Sequence, residues 1–221
     1  ENVFDYSLGN PSVPAPQKFT DVCLDLLEHV DPVTLHGYTP TLTLPDVRAK
    51  VAESLNRRFG MDYTSDHIFM TTGAAGALAH AVRCIAVPGQ NIVTFAPFFP
   101  EYKPYVEGAG LTLRVAPPRC EDFQVNFDVL DSLVDENTAA MLINSPNNPS
   151  GTAYSAETLT KLAAYLKKKS AEYGHHIFLI SDEPYREIAF GGKTIPYPAK
   201  FYDDTLTCYS FSKSLSVPGE R

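Results

Sequence analysis

Apolar residues along this chain gather into short continuous runs set between longer stretches of mixed polarity. The runs fall near His67–Met70, Asn91–Ala96, Leu111–Ala116, Ala139–Ile143, His176–Ile180 and Thr205–Tyr209. A run of about four to eight apolar residues bounded by polar or turn-forming residues predicts a strand buried on both faces. Helical stretches are predicted near Pro16–His29, Pro45–Phe59, Ala74–Ala86, Pro100–Gly108, Asp128–Val134 and Ser155–Tyr173. Turn signals such as Pro88-Gly89-Gln90 and Gly191-Gly192 separate them. Strands alternating with helices predict an α/β fold of three layers, α/β/α, around a mainly parallel sheet. The segment before Pro45 is Pro-rich at its start and stands outside the alternation. It reads as an N-terminal arm over residues 1–44, with the main domain over 45–221. No internal repeat or low-complexity tract interrupts the pattern.

Composition narrows the function classes. The chain has 221 residues and a net charge of −8, with no basic stripe, so nucleic acid binding has no electrostatic support. The only basic cluster, Lys167-Lys168-Lys169, ends a predicted helix, where cations suit the macrodipole, and reads as a solvated face. Cys23, Cys84, Cys120 and Cys208 are scattered without a C-x-x-C pair and read as reduced thiols. The histidines, His175-His176 among them, lack the spacing of a metal site. No signal peptide or membrane-spanning apolar segment is visible. These features suit a soluble, cytoplasmic enzyme.

Four segments carry candidate chemistry. Lys213 lies in Ser210-Phe211-Ser212-Lys213-Ser214-Leu215-Ser216, directly after the run ending at Tyr209 and shortly before Arg221. A lysine buried at a strand end, beside a cation, becomes a nucleophile toward carbonyls and suits a Schiff base with an aldehyde cofactor. The serines and Arg221 would hold a phosphate. Asp182 and Tyr185 emerge at the end of the run Ile177–Ile180, where open α/β sheets bind ligands. A carboxylate there can pair with a protonated pyridine nitrogen. Asn148 lies between Pro146 and Pro149, which stiffen its loop and lower the cost of ordering its amide against a ligand. Gly73-Ala74-Ala75 opens an Ala-rich helix and lets an anion approach backbone N–H groups. Taken singly, each segment also has a plain structural reading: a surface lysine, a solvated acidic turn, a simple loop, a close strand–helix contact.

Together and in this order, Asn147-Asn148-Pro149-Ser150-Gly151, Ser181-Asp182-Glu183-Pro184-Tyr185 and Ser210-Phe211-Ser212-Lys213 followed by Gly219-Glu220-Arg221 resemble a class I/II aminotransferase of pyridoxal-phosphate fold type I, in the aspartate aminotransferase superfamily. The resemblance runs from about Leu8 to Arg221. It implies pyridoxal 5'-phosphate as cofactor and amino acids and 2-oxo acids as substrates. It implies that Lys213 holds the cofactor and moves the substrate proton, and that Asp182 keeps the ring nitrogen protonated. Asn148 and Tyr185 match the pair that meets the ring oxygen. Gly73, Ala74 and Ala75, with Ser210 and Arg221, match the phosphate cup, and Phe99 matches the aromatic that stacks on the ring. Tyr38 resembles the tyrosine that reaches the partner subunit's cofactor phosphate, which implies a homodimer with shared active sites. Gly9 resembles the backbone that meets the substrate carboxylate. The chain departs at Thr43, where many relatives have glycine.

The family continues beyond Gly-x-Arg with a further central strand and a small domain that carries a substrate-binding arginine. The chain is therefore expected to be a fragment, with residues 1–44 contributing part of the small domain, and to be inactive alone. Two other readings stay open: a C–S lyase or decarboxylase on the same fold, and an aminotransferase-like effector domain of a transcription regulator.

Overall fold

The computed structural model describes residues 9–39 and 44–220. They fall into two compact units, Glu1–Gly73 with Ser210–Arg221, and Ala74–Tyr209. The first unit holds α1 (Gln17–His29), α2 (Pro32–His36), α3 (Pro45–Phe59) and, in its C-terminal segment, α7 (Phe211–Ser214). Asp31 caps α2 by accepting from the Thr34 N–H at 2.9 Å, and Pro32 takes the first position, where its missing N–H costs nothing. Pro45 opens α3 and Gly60, at φ 66°, closes it in the left-handed conformation. α1 buries none of its residues, and Val22, Leu24, Leu26 and Leu27 stay exposed on it.

The chain after α3 is held by side chains. The Asn56 amide brackets Tyr63, donating to its carbonyl and accepting from its N–H, both at 2.8 Å. Arg48 donates to the Ser65 carbonyl at 2.7 Å. The strand expected over 67–70 does not form. His67 instead closes a short 3-10 turn, Ser65–His67, and its Nδ1 accepts from the Thr64 N–H at 3.0 Å. Ile68 has extended dihedrals but pairs with no strand among the described residues. Local capping has prevailed over the apolar pattern there.

The second unit is the α/β sandwich that the alternation predicts. Its elements are α4 (Gly73–Ile85), β1 (Asn91–Phe95), α5 (Tyr102–Glu107), β2 (Thr112–Ala116), β3 (Thr138–Asn144), α6 (Ala156–Tyr173), β4 (Phe178–Asp182) and β5 (Thr205–Cys208). The strands form one five-stranded parallel sheet in the order β2-β1-β3-β4-β5. β3 is buried throughout, as a central parallel strand must be. Alternate residues feed opposite faces. Val93, Met141, Ile143 and Leu179 pack on one face with Leu159, Leu162 and Leu166 of α6. Ile92, Ala140, Leu142 and Ile180 pack on the other with Leu78 and Val82 of α4 and Tyr102 and Val106 of α5. The predicted helix over 128–134 is a 3-10 segment, Phe127–Ser132, that sets Leu130 into the first face.

Two polar details matter here. Ser155 caps α6 by accepting from the Thr158 N–H at 3.0 Å, and Gly174 ends it at φ 74°. Lys169 is not the solvated cation that its cluster suggests. It is buried, with Nζ 3.2 Å from both Asp131 and Glu172, and it lies over the rings of Tyr165 and Tyr173.

Candidate active site

The register of β3 against β4 pairs Asn144 with Asp182, the last residues of both strands. Parallel strands bring their C-terminal ends together, so the two following loops start side by side. Asp182 is 4 % exposed. Its Oδ2 accepts from the Tyr102 hydroxyl at 2.7 Å and lies 3.4 Å from Asn144 Nδ2. Its Oδ1 is buried and has no hydrogen-bond partner among the described residues. Burial raises the Asp182 carboxyl to about 6, while the Tyr102 hydrogen bond pulls the other way.

Tyr102 is fully buried at the start of α5. Its N–H donates to the Phe99 carbonyl at 3.1 Å, so the turn before α5 sets its position. Phe98 stacks on its ring at 6.3 Å and Phe99 meets it edge-on at 5.8 Å. Burial first, then the charge and hydrogen bond of Asp182, push the phenol above its ordinary range, so it stays a donor.

Asn144 is the brace between the two loops. Its Oδ1 accepts from the Asn148 N–H at 2.6 Å, and its Nδ2 donates to the Asp182 carbonyl at 2.9 Å. The Asn148 loop is tied further by Asn147, which donates to the Pro97 carbonyl at 3.2 Å and accepts from the Ser150 hydroxyl at 2.8 Å. Asn148 Nδ2 then points to the Tyr185 hydroxyl at 3.5 Å. Burial raises the Tyr185 phenol, the Asp182 charge adds to this, and the Asn148 donor opposes it.

Glu183, next in sequence, plays a different part. It is fully buried, accepts from Ser181 at 2.8 Å and pairs with Arg186 at 2.7 Å. Burial raises its carboxyl against the pull of Arg186. Arg186 in turn lies over the Tyr209 ring at 4.5 Å. Two adjacent carboxylates thus have separate fates. Glu183 is neutralised by a cation of its own turn, and Asp182 keeps one oxygen open.

Among the sequence-predicted residues of this unit, the structure joins Asn148 to Tyr185, and joins Asp182 to the Phe99 turn through Tyr102. Ala74 and Ala75 lie in the first turn of α4, just after Gly73, whose φ of 77° suits glycine. Thr71 donates its hydroxyl to the Gly73 carbonyl at 3.0 Å.

In the first unit, Ser210 caps α7 by accepting from the Ser212 N–H at 3.1 Å, and its hydroxyl lies 2.7 Å from that of Ser212. Lys213 sits on α7, half-buried, and not buried at a strand end as the sequence suggests. A turn of helix begins at Phe211 because Ser210 supplies the cap. Lys213 Nζ donates to the Gly9 carbonyl at 2.7 Å, joining two predicted residues far apart in sequence. Tyr38 is fully exposed. Arg221 and Thr43, like Leu8, lie outside the described residues.

Sequence reasoning missed Tyr102 and Asn144. Tyr102 stands three residues after Phe99, a spacing that a turn converts into contact, and Asn144 closes an apolar run just before the Asn148 loop. Those signals mark a position and not a partner.

A buried carboxylate oxygen without a donor, at the C-terminal edge of a parallel sheet, fits a cationic ring N–H. The amide–phenol pair beside it fits a ring oxygen. The residues present therefore fit pyridoxal phosphate. Among the described residues no cluster of side chains suits a metal ion, and no helix is long and apolar enough to cross a membrane.

The model of the family "Aminotransferase class I and II" matches residues 1–221. A probable aminotransferase of Arabidopsis thaliana is 32% identical over 225 residues, covering 100% of this chain and 53% of the relative. A cystine lyase of the same plant is 32% identical over 222 residues, covering 96% of this chain and 51% of the relative. The crystal structure of an amino transferase from Eubacterium rectale superposes with a TM-score of 0.97 at 48% identity, over 100% of this chain and 56% of that one. The chain spans about half the length of the relatives it matches.

Proposed function

This chain belongs to the class I and II aminotransferase family, and from that premise we propose that the protein is a pyridoxal-phosphate-dependent aminotransferase that moves an amino group between an amino acid and a 2-oxo acid. The observation that carries the cofactor is the open Oδ1 of buried Asp182. When bound, the cofactor supplies an electron sink for charge that develops at the substrate's Cα. Asp182, ionised, holds the ring nitrogen's proton. Asn148 and Tyr185 bind the ring oxygen, and Phe99 covers the ring. Ala74 and Ala75 offer backbone N–H groups of the first turn of α4 to the phosphate, and Gly73, whose own N–H donates to the Thr71 carbonyl at 2.9 Å, gives that turn its glycine conformation. Ser210 and Arg221 are assigned to the same phosphate. Lys213 holds the cofactor covalently and carries the proton to and from the substrate's Cα. The Gly9 carbonyl that Lys213 meets lies in the segment assigned to the substrate carboxylate.

The proposal extends to a homodimer in which Tyr38 reaches the partner's cofactor phosphate; its full exposure supports such a reach. Residues 1–44 are assigned to the arm and 45–221 to the cofactor-binding domain. The protein is placed in the cytoplasm and acts on neither nucleic acid nor membrane. One observation favours a second reading, C–S bond cleavage: the similarity to a cystine lyase.

The experiment is borohydride reduction of the full-length protein with pyridoxal phosphate, followed by peptide mapping and an amino-donor screen. A label on Lys213 and amino transfer to a 2-oxo acid are expected. A label on another lysine, such as Lys103 or Lys193, overturns the assignment. Pyruvate and ammonia released from cystine without amino transfer would establish the lyase instead.

A further inference from the structure

We infer that Tyr102 is a positioning residue that closes Oδ2 of Asp182 and leaves Oδ1 as the single oxygen offered to the cofactor's protonated ring nitrogen. The inference rests on the cofactor reading above and adds the residue that closes the other oxygen and holds the carboxylate in place.

The geometry is one-sided. Oδ2 takes the Tyr102 hydroxyl at 2.7 Å and has the Asn144 amide at 3.4 Å, so its lone pairs are directed to fixed donors. Oδ1, on the same buried carboxylate, has none among the described residues. A buried acceptor left without a donor costs free energy, so the carboxylate is set up for a ligand that brings one. Tyr102 cannot swing away, because its ring is fully buried and packs against Phe98 and Phe99. Asn144 cannot rotate without releasing the Asn148 N–H and the Asp182 carbonyl. The carboxylate plane is therefore fixed before any ligand arrives.

The same hydroxyl favours the ionised form of Asp182, which the ring nitrogen needs. The other groups of this unit that face Asp182 do not supply that support. Glu183 is acidic and is occupied with Arg186, while Tyr105 and Tyr185 are neutral phenols. Cys208 on β5 is a buried thiol whose pKa is raised by burial and then by Asp182 and Glu183. Tyr102 is the one that donates to the carboxylate at short range.

The test uses full-length protein in two arms, with wild type and Tyr102→Phe, which deletes one atom and keeps the ring in its slot. In cofactor-free protein the Asp182 carboxyl is titrated by carbon NMR, its signal assigned by its loss in Asp182→Asn. The variant's midpoint should rise by roughly one unit. In the second arm, affinity is measured for pyridoxal phosphate and for its analogue with carbon in place of the ring nitrogen. Wild type should prefer the natural cofactor, and the variant should lose about tenfold of that preference. Fluorotyrosine at position 102, a stronger donor of nearly the same shape, should move the midpoint down and serves if Tyr102→Phe does not fold.

An unmoved midpoint or an unchanged preference overturns the role of Tyr102, even if the variant melts lower, since packing alone would then explain it. Wild type that binds pyridoxal phosphate but does not discriminate between the two compounds overturns the pairing at Oδ1. Wild type that binds neither overturns the cofactor reading itself.

Discussion

Two polar clusters sit at opposite ends of the same parallel sheet, and they are finished differently. Near the N-terminal ends of β1 and β3, Thr138 donates to Asn91 at 2.9 Å and accepts from the Asp135 N–H at 3.0 Å. Asn91 donates to Asp135 at 2.9 Å, and Arg114 pairs with Asp135 at 2.7 Å. Burial works against the Asp135 charge, but the donors of Arg114, Asn91 and the Asn137 N–H win and hold its carboxyl below the usual range. At the C-terminal ends, Asp182 is more deeply buried, has one short donor, and keeps an oxygen open. The first cluster is complete and stabilises the fold. The second is incomplete, and a buried acceptor without a donor costs free energy. The two carboxylates differ in completeness: both oxygens of Asp135 have partners, and Oδ1 of Asp182 has none among the described residues.

The largest test of this contrast is Asp182→Asn. In full-length protein it should lower amino transfer by roughly 10²–10³-fold, read from donor kinetics. In cofactor-free protein it should do the opposite to stability. The folded carboxyl is raised above its unfolded value, so its favourable contribution is present in acid and is lost as pH rises through about 6. Denaturant unfolding should show variant and wild type equal near pH 4 and the variant more stable by about 1–3 kcal/mol at pH 8. A variant that is less stable at pH 8 would remove the cost assigned to the open oxygen.

At the other end, Thr138→Val should leave Asn91 Oδ1 and the Asp135 N–H without their shared partner, at about 2–3 kcal/mol by denaturant unfolding. Asp135→Asn should cost about 1–2 kcal/mol at neutral pH, discounted because this pair is a third exposed to solvent. Its sign with pH is the reverse of Asp182. A depressed carboxyl stabilises above its ordinary pKa and loses that contribution as pH falls, so the difference should vanish in acid. Neither variant should change cofactor affinity. A loss of affinity from either would couple the two ends and break the contrast. The smallest effect, about 1 kcal/mol, is expected for Gly174→Ala, which forces a side chain into φ 74° at the end of α6 and touches neither cluster.

Much of the second unit was legible in the sequence. Apolar runs marked β1, β2, β3, β4 and β5 to within a few residues; β1, β3 and β4 are the inner strands, buried on both faces, and the edge strands β2 and β5 are only partly buried. Pro45 and Gly60 bounded α3, and Ser155 and Gly174 bounded α6, because those residues have local backbone preferences. Three motifs in order named the family and the residues to look at.

What the sequence could not supply was pairing between distant residues. Tyr102 and Asp182 are 80 residues apart, and no local pattern joins them; α5 packing on the sheet does. Asn144 became a brace only through the parallel register that sets it opposite Asp182. Lys169 looked solvated in a run of lysines until α6 turned that one position toward Asp131 and two tyrosines. The apolar run at 67–70 looked like a strand until Thr64 captured His67. Residue type and spacing determined which groups this protein carries and the order of its elements. Tertiary structure alone decided which of two adjacent buried carboxylates is neutralised and which keeps a free oxygen, because hydrogen bonds depend on ångström-scale geometry that only packing fixes.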